Sequence, residues 1–343
     1  MSAATPPFPK APRAMQRAAL IYNPASGQQP QKRAARIAQA IAVLRNAGVE
    51  VETIATHSPE SAAGQAQQAV REGCDTILAC GGDGTAHEIL QGLVGLRDVA
   101  LGVIPMGTAN ALAADLGIPS ASAKAAKTML DAVRVRIPVG QIFCRDLAGS
   151  ERSRYFIVAA GVGVDAHFFS RLDSSLKQRF GYAAYMMEAL RLWATHTFPT
   201  FRASFIESAT GAQREAEVSQ LLAVRIRNFG GLVQNLVPGA ALHKPSLSVI
   251  AIQTRSRIRY LRFMTAVWFR CHTYGSVIEL IDAASVQCSE LDTPTLDAPT
   301  PTPTYVEADG ELLGVLPARI EVVPDALTLL VPARAAARLV SGS

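Results

Sequence analysis

The sequence contains no run of about 18 uncharged apolar residues, so no transmembrane helix is expected. Residues 1–16 are rich in proline and alanine but lack the apolar segment of a signal peptide. The five cysteines are odd in number and form no Cys-x-x-Cys pair. This pattern favours reduced thiols over a disulfide framework or a zinc site. These absences predict a cytoplasmic protein whose contact with a membrane, if it has one, is peripheral.

Charge is also sparse, at 18% of the 343 residues, whereas apolar residues make up 49%. This composition allows sizeable cores, and the length suits two domains. The net charge of +5 favours anionic partners such as nucleotide phosphates or an acidic membrane face. Because the basic excess is small and scattered, it does not indicate binding to nucleic acid.

The most informative segment, residues 76–88, begins as an apolar run, turns on three glycines and continues as a helix. Gly81, Gly82 and Gly84 have no side chains, so a phosphate can approach their main-chain N–H groups. The helix that follows contributes a favourable dipole for an anion. Asp83 lies inside the turn, which predicts a nucleotide-phosphate site that contains an acid. The alternative is a tight strand-to-helix turn without a ligand.

The overall pattern predicts an α/β domain followed by an all-β domain. Residues 18–118 alternate strand and helix about four times, which is typical of an open, mostly parallel sheet. Ligands of such sheets bind beyond the carboxyl ends of the strands, and two further polar turns follow strands there, at 23–27 and 107–110. After about residue 134 come many short strand candidates, which favour an antiparallel β-sandwich. The last of them are 312–316, 319–323 and 327–331.

We expect five segments from this pattern. Residues 1–16 form a flexible tail, 17–137 an α/β nucleotide-binding domain and 138–324 a β-rich domain. Residues 289–304 are a proline- and threonine-rich loop insert in the second domain. Residues 325–340 could return to the first domain, which the sequence alone does not decide.

Several short elements, in order and spacing, resemble the catalytic domain of diacylglycerol kinases, a superfamily that also contains sphingosine and ceramide kinases. The first three are Asn23-Pro24-x-Ser26-Gly27, Gly81-Gly82-Asp83-Gly84-Thr85-x-x-Glu88 and Pro105-x-Gly107-Thr108-x-Asn110. Those of the second half are the glycine-rich segment 160–166 with Asp165, the aromatic segment 181–185, the loops 228–231 and 238–241, and Asp309-Gly310-Glu311. The resemblance spans about residues 18 to 331.

The resemblance implies a soluble bacterial-type lipid kinase with ATP and Mg²⁺ in the cleft between the domains. The γ-phosphoryl group would pass to a lipid hydroxyl, and the protein would touch the anionic inner face of the membrane. A homodimer is left open. The implied ATP contacts are Asn23, Ser26, Gly27, Thr56, Gly81, Gly82, Gly84, Thr85, Gly107, Thr108 and Asn110.

The resemblance also assigns the acids. Asp83 and Glu311 are the expected catalytic residues, and Asp309 and Glu311 the expected metal ligands. Asp165 and Glu88 are the expected contacts to substrate. Without the resemblance, Asp309-Gly310-Glu311 reads as a hairpin turn.

Two observations leave alternatives open. The run 243–246, His-Lys-Pro-Ser, stands where many bacterial relatives have an Asp-Gly pair, which puts a structural metal there in doubt and motivates a non-catalytic binding protein. A Gly-Gly-Asp-Gly turn also occurs in NAD kinases, although no Asn-Glu dipeptide follows the first domain here. His87 is expected to be packed or to face solvent rather than to act in catalysis.

Overall fold

The structure is a computed structural model. It describes residues 15–24, 30–58, 60–164, 166, 198–230, 236–268, 278–291 and 303–341. Three of the expected site residues, Ser26, Gly27 and Asp165, lie outside these ranges, as do most of the tail 1–16 and of the insert 289–304.

The N-terminal half is a parallel sheet in the order β2-β1-β3-β4. Its strands are β1 (Arg17–Tyr22), β2 (Glu50–Ala55), β3 (Thr76–Gly81) and β4 (Ala100–Pro105). Its helices are α1 (Pro30–Asn46), α2 (Ser61–Arg71), α3 (Asp83–Leu93), α4 (Ala111–Leu116) and α5 (Ser122–Leu130). Every residue of β3 and β4 is buried, as expected for parallel strands covered by helices on both faces.

The C-terminal half consists of antiparallel strands. They are β5 (Ala132–Arg145), β6 (Glu151–Phe156), β7 (Ala159–Gly163), β8 (Phe201–Glu207), β9 (Gln213–Val218), β10 (Gln220–Val224), β11 (Leu247–Ile252), β12 (Ile278–Ser289), β13 (Tyr305–Ala308) and β14 (Glu311–Pro332). The described residues also include the helices α6 (Arg257–Trp268) and α7 (Ala333–Ser341). Pairing from β14 through β13, β7, β10, β11 and β12 returns to β14, around a core that contains Phe156, Phe201 and Phe205. The α/β-plus-β fold class is confirmed.

The two halves share their longest strands. β14 pairs with β5 from Val315 opposite Arg145 to Pro332 opposite Ala132, and Leu329 also lies parallel to Leu101 of β4. The end of β14 therefore extends the parallel sheet, whereas its beginning belongs to the antiparallel strands. The expected boundary at residues 137/138 falls inside β5.

Within the described ranges, every helix is too short or too polar to cross a bilayer.

The parallel register places the turns of the site side by side. Gly81, at the end of β3, is paired with Pro105, at the end of β4. The turns that follow then approach so closely that a Cβ on Gly107 would lie 2.5 Å from the Cα of Gly82. Only glycine fits such an approach of two backbones.

Helix α3, which carries the acid of the glycine turn, is held against α2 by another close approach. A Cβ on Gly92 would overlap the carbonyl oxygen of Ala63 in α2, whereas a Cβ on Gly64 would meet no atom within 4 Å. Both glycines lie in helices and neither has a positive φ.

We therefore expect opposite effects from two matched substitutions. Gly92→Ala should lower the free energy of unfolding by about 1–3 kcal/mol, because α3 must move away from α2. Gly64→Ala should raise it by about 0.5–1 kcal/mol, because alanine loses less backbone entropy in a helix. Urea unfolding of both variants measures the difference, and similar shifts in the two would contradict the close helix contact.

Candidate active site

The glycine turn connects β3 to α3. The side chain of Thr85 folds back over Gly81. A Cβ added to Gly81 would overlap the hydroxyl group of Thr85. The N–H groups of Thr85 and Ala86 bond to the carbonyl of Gly82 and close the first turn of α3. The amides at the start of a helix that have no intrahelical acceptor face outward, which suits an anion.

The turn after β4 is closed by its own asparagine. The side-chain oxygen of Asn110 accepts the N–H of Gly107 at 2.8 Å, and its amide nitrogen donates to the carbonyl of Gly107 at 2.8 Å. Asn110 has a left-handed backbone, with φ 49°, which asparagine tolerates better than most residues. The side chain of Asn110 is thus used within the turn, and its expected contact with ATP stays a prediction.

Asp83 joins these two turns. Its Oδ1 accepts the N–H of Leu112 at 3.4 Å, at the start of α4. Burial raises the pKa of the Asp83 carboxyl, although backbone N–H groups of residues 110–112 oppose the shift. The carboxyl is therefore oriented by the third turn and holds its proton more readily than an exposed aspartate.

Asp309 lies between the two halves, and its side chain is almost fully buried. Its Oδ1 accepts the N–H groups of Val158 (2.9 Å) and Ala159 (3.0 Å), and its Oδ2 accepts that of Ile157 (3.1 Å). Oδ2 also lies 3.1 Å from Nδ1 of His87. Both oxygens accept hydrogen bonds and the side chain is only 1% exposed, which disfavours the expected role of Asp309 as a magnesium ligand; that role stays a prediction. Asp309 anchors the turn that carries Glu311.

His87 is fully buried, not exposed to solvent, and it faces the second half of the chain. Its Nδ1 contacts Asp309, while its Nε2 has no hydrogen-bond partner among the described residues. Burial opposes protonation, yet the hydrogen bond and charge of Asp309, with Glu311 and Glu88, raise the pKa of the imidazole. Sequence reasoning missed this contact because His87 and Asp309 are far apart in the chain.

Glu311 brings an acid from β14 to the glycine turn. Its Oε1 lies 2.8 Å from where a Cβ on Gly84 would stand. A ring nitrogen of His87 and carboxylate oxygens of Glu88 and Glu311 all lie within 4.8 Å of one another. Burial, and then the charge of Glu311, raise the pKa of Glu88. Side chains from both halves of the chain therefore converge in front of Gly84.

The expected nucleotide residues divide into two groups. Gly81, Gly82, Gly84, Thr85, Gly107, Thr108 and Asn110 lie in two adjacent turns. Asn23 and Thr56 follow β1 and β2 at the same edge of the sheet, and the N–H of Thr56 bonds to the carbonyl of Tyr22.

Comparison with known proteins gives the family. Residues 17–142 match the profile described as "Diacylglycerol kinase catalytic domain", and residues 157–331 match that of the "YegS C-terminal NAD kinase beta sandwich-like domain". A curated diacylglycerol kinase of Bacillus subtilis (strain 168) is 31% identical over 254 residues, which cover 73% of this chain and 78% of that protein. This chain belongs to the diacylglycerol kinase family. It is a kinase, as its sequence predicts.

Further relatives agree with the assignment. A Staphylococcus aureus diacylglycerol kinase is 27% identical over 303 residues and covers 88% of each chain. A solved structure from Bacillus anthracis str. Sterne has a TM-score of 0.74 at 20% identity and covers 95% of this chain and 98% of that one. The complex of yeast NADH kinase with NADH has a TM-score of 0.50 at 9% identity over 95% of this kinase and 86% of that chain. The last two show a shared fold.

This kinase holds the loop 242–246 with a buried arginine that sequence reasoning did not single out. Arg225 is 1% exposed, and its guanidinium donates at 2.9 Å to four carbonyls. They belong to Pro138, Leu242, Lys244 and Ser246. Burial lowers the pKa of Arg225 to about 10. The guanidinium of Arg225 thus supplies hydrogen-bond donors to the carbonyl groups of this loop, which lacks the Asp-Gly pair of many bacterial relatives.

Replacement of Arg225 by methionine should remove about 3–5 kcal/mol from the free energy of unfolding, because buried carbonyls lose their donors. Arg227→Met is the matched control. Arg227 lies two residues away and donates one hydrogen bond from Nε, to the carbonyl of Ala240, so about 1 kcal/mol is expected. Urea unfolding measures both, and equal losses would show that Arg225 does not hold the loop.

Proposed function

We propose that this kinase transfers the γ-phosphoryl group of ATP to the hydroxyl group of a lipid. The lipid is diacylglycerol or a related alcohol such as a sphingoid base or ceramide. The observation that carries the proposal is the position of Glu311. This acid of the β half faces Gly84 in the glycine turn of the α/β half. The names of the relatives support the lipid as acceptor.

The glycine turn is the proposed site of the ATP phosphates. Phosphoryl transfer depends mainly on positioning and on stabilisation of negative charge. The main chain at Gly81, Gly82 and Gly84 lets phosphate oxygens approach, and α3 directs its positive end towards them. Thr85, Gly107 and the closed turn at Asn110 keep this surface in shape.

Asp83 is the proposed acceptor of the proton from the lipid hydroxyl. Its pKa is raised by burial, and a base is most effective when its pKa approaches the working pH. The N–H groups at the start of α4 orient its carboxyl group. Proton transfer of this kind is typically worth about 10²–10⁴-fold in rate.

The two carboxylates in front of Gly84 fit a divalent cation such as Mg²⁺, which prefers oxygen ligands. Glu311 and Glu88 supply such oxygens within 4.8 Å of each other. Magnesium bound there would neutralise charge on the transferred phosphate. Asp309 is left out of this set because backbone N–H groups occupy it.

Helix α6 is the proposed contact with the anionic inner face of the membrane. Its first turns expose Ile258 (72%) and Leu261 (38%) beside exposed Arg257, Arg259 and Arg262. Apolar side chains flanked by basic ones suit the surface of a bilayer, where each basic residue contributes roughly 1 kcal/mol. Arg255, just before the helix, is bound to Glu217 and Thr200.

Product analysis tests the proposal. The kinase is incubated with γ-labelled ATP, magnesium, NAD and mixed micelles that contain diacylglycerol, a sphingoid base and ceramide. We expect the label on a lipid. Asp83→Asn should lower that rate by about 10²-fold or more, because it removes the proton acceptor. Asp131→Asn changes an exposed acid after α5 and should leave the rate unchanged.

Mass spectrometry of the products reads the result. Label on NAD, with none on any lipid, would replace the lipid assignment by that of a small-molecule kinase. Full lipid turnover by the Asp83→Asn variant would remove Asp83 from the proposed role.

A further inference from the structure

Three potential ligands for a cation meet where α3 contacts the beginning of β14. We call His87, Glu88 and Glu311 the His–Glu–Glu cluster. One ring nitrogen and two carboxylate groups lie within 4.8 Å of one another. Two of these residues come from α3 and one from β14, so the cluster forms only when both halves of the chain are folded.

The imidazole of the cluster is oriented by Asp309. Because the Asp309 carboxylate accepts N–H groups from Ile157, Val158 and Ala159, it faces His87 as an acceptor. Nδ1 of His87 is thus the nitrogen that carries the proton, and it donates to Oδ2 of Asp309 at 3.1 Å. In the neutral ring, the lone pair is then on Nε2.

The second ring nitrogen of His87, Nε2, is a separate indication that the cluster binds a ligand. Nε2 of His87 is buried and has no hydrogen-bond partner in the part of the chain that the structure describes. A buried polar atom normally has a partner. Histidines that bind metals almost always donate their other ring N–H to a carboxylate or a carbonyl, as His87 does to Asp309.

We infer that the His–Glu–Glu cluster binds a divalent transition-metal cation of the Mn²⁺ type, with Nε2 of His87 as one ligand and oxygens of Glu88 and Glu311 as the others. A cation about 2.1 Å from each ligand draws ligands to within about 4.2 Å of one another. The two glutamates would have to rotate for their oxygens to reach this distance. Imidazole suits transition metals, whereas Mg²⁺ takes oxygen ligands, so the cluster favours Mn²⁺ over Mg²⁺.

The inference deepens the proposed function, because the cation would lie in front of Gly84, where the phosphates are proposed to bind. Binding of the cation is nevertheless measurable without ATP or lipid. A failed lipid assay and a failed metal titration are therefore separate results.

The test is a titration of the full chain with Mn²⁺, followed by electron paramagnetic resonance, with Mg²⁺ as competitor. His87→Asn should weaken Mn²⁺ binding by at least about tenfold and reduce the preference for Mn²⁺ over Mg²⁺. Spin-echo spectra of bound Mn²⁺ should show nitrogen modulation in the unaltered protein and none in the His87→Asn variant. His57→Asn, which changes an exposed histidine that contacts Gln65, is the matched control and should retain both properties.

Glu311→Gln covers the case in which the His87→Asn variant does not fold. This change leaves the contact between His87 and Asp309 in place and should weaken Mn²⁺ binding by about tenfold. The inference is overturned if Mn²⁺ binds without nitrogen modulation, or if neither substitution changes its affinity. Either result would mean that His87 and Asp309 form only a buried ion pair.

Discussion

The arrangement of this kinase depends on the hydrogen bonds of one buried carboxylate, that of Asp309. Three backbone N–H groups at the junction of β6 and β7 and the ring of His87 in α3 converge on it. A buried carboxylate is stable only when donors surround it, so its burial favours the packing of these elements against one another. Glu311 follows two residues later and is thereby held opposite the glycine turn. The same contact leaves Nε2 of His87 for a cation.

Fixed elements on either side support this contact. Gly92 in α3 and Gly107 in the turn after β4 allow close backbone contacts with α2 and with the glycine turn. Asp83 joins the glycine turn to the turn after β4. β14 runs through both halves and carries Glu311 at its beginning. Arg225 holds the loop 242–246 from within. The phosphate surface and the acids that face it are thus set by backbone geometry more than by flexible side chains.

The glycine turns, the alternation of strands and helices and the change to antiparallel strands were predictable, because each depends on local sequence pattern. Contacts between distant residues were not. The hydrogen bonds of Asp309 to residues 157–159 and to His87 have no local signal, and β14 was expected as separate strands that include 312–316 and 319–323. Arg225 gave no local signal, since its partners are carbonyl groups, which every residue carries. The family resemblance identified the acids of the site. It did not show that hydrogen bonds occupy the carboxylate of Asp309.

The most direct test of this account is a double-mutant cycle between His87 and Asp309. The free energy of unfolding in urea is measured for the unaltered chain, His87→Asn, Asp309→Asn and the double variant, all without added metal. If the two side chains join the halves, their coupling energy should be favourable and about 1–3 kcal/mol, as found for buried partners in one network. Additive effects, with a coupling near zero, would contradict the account.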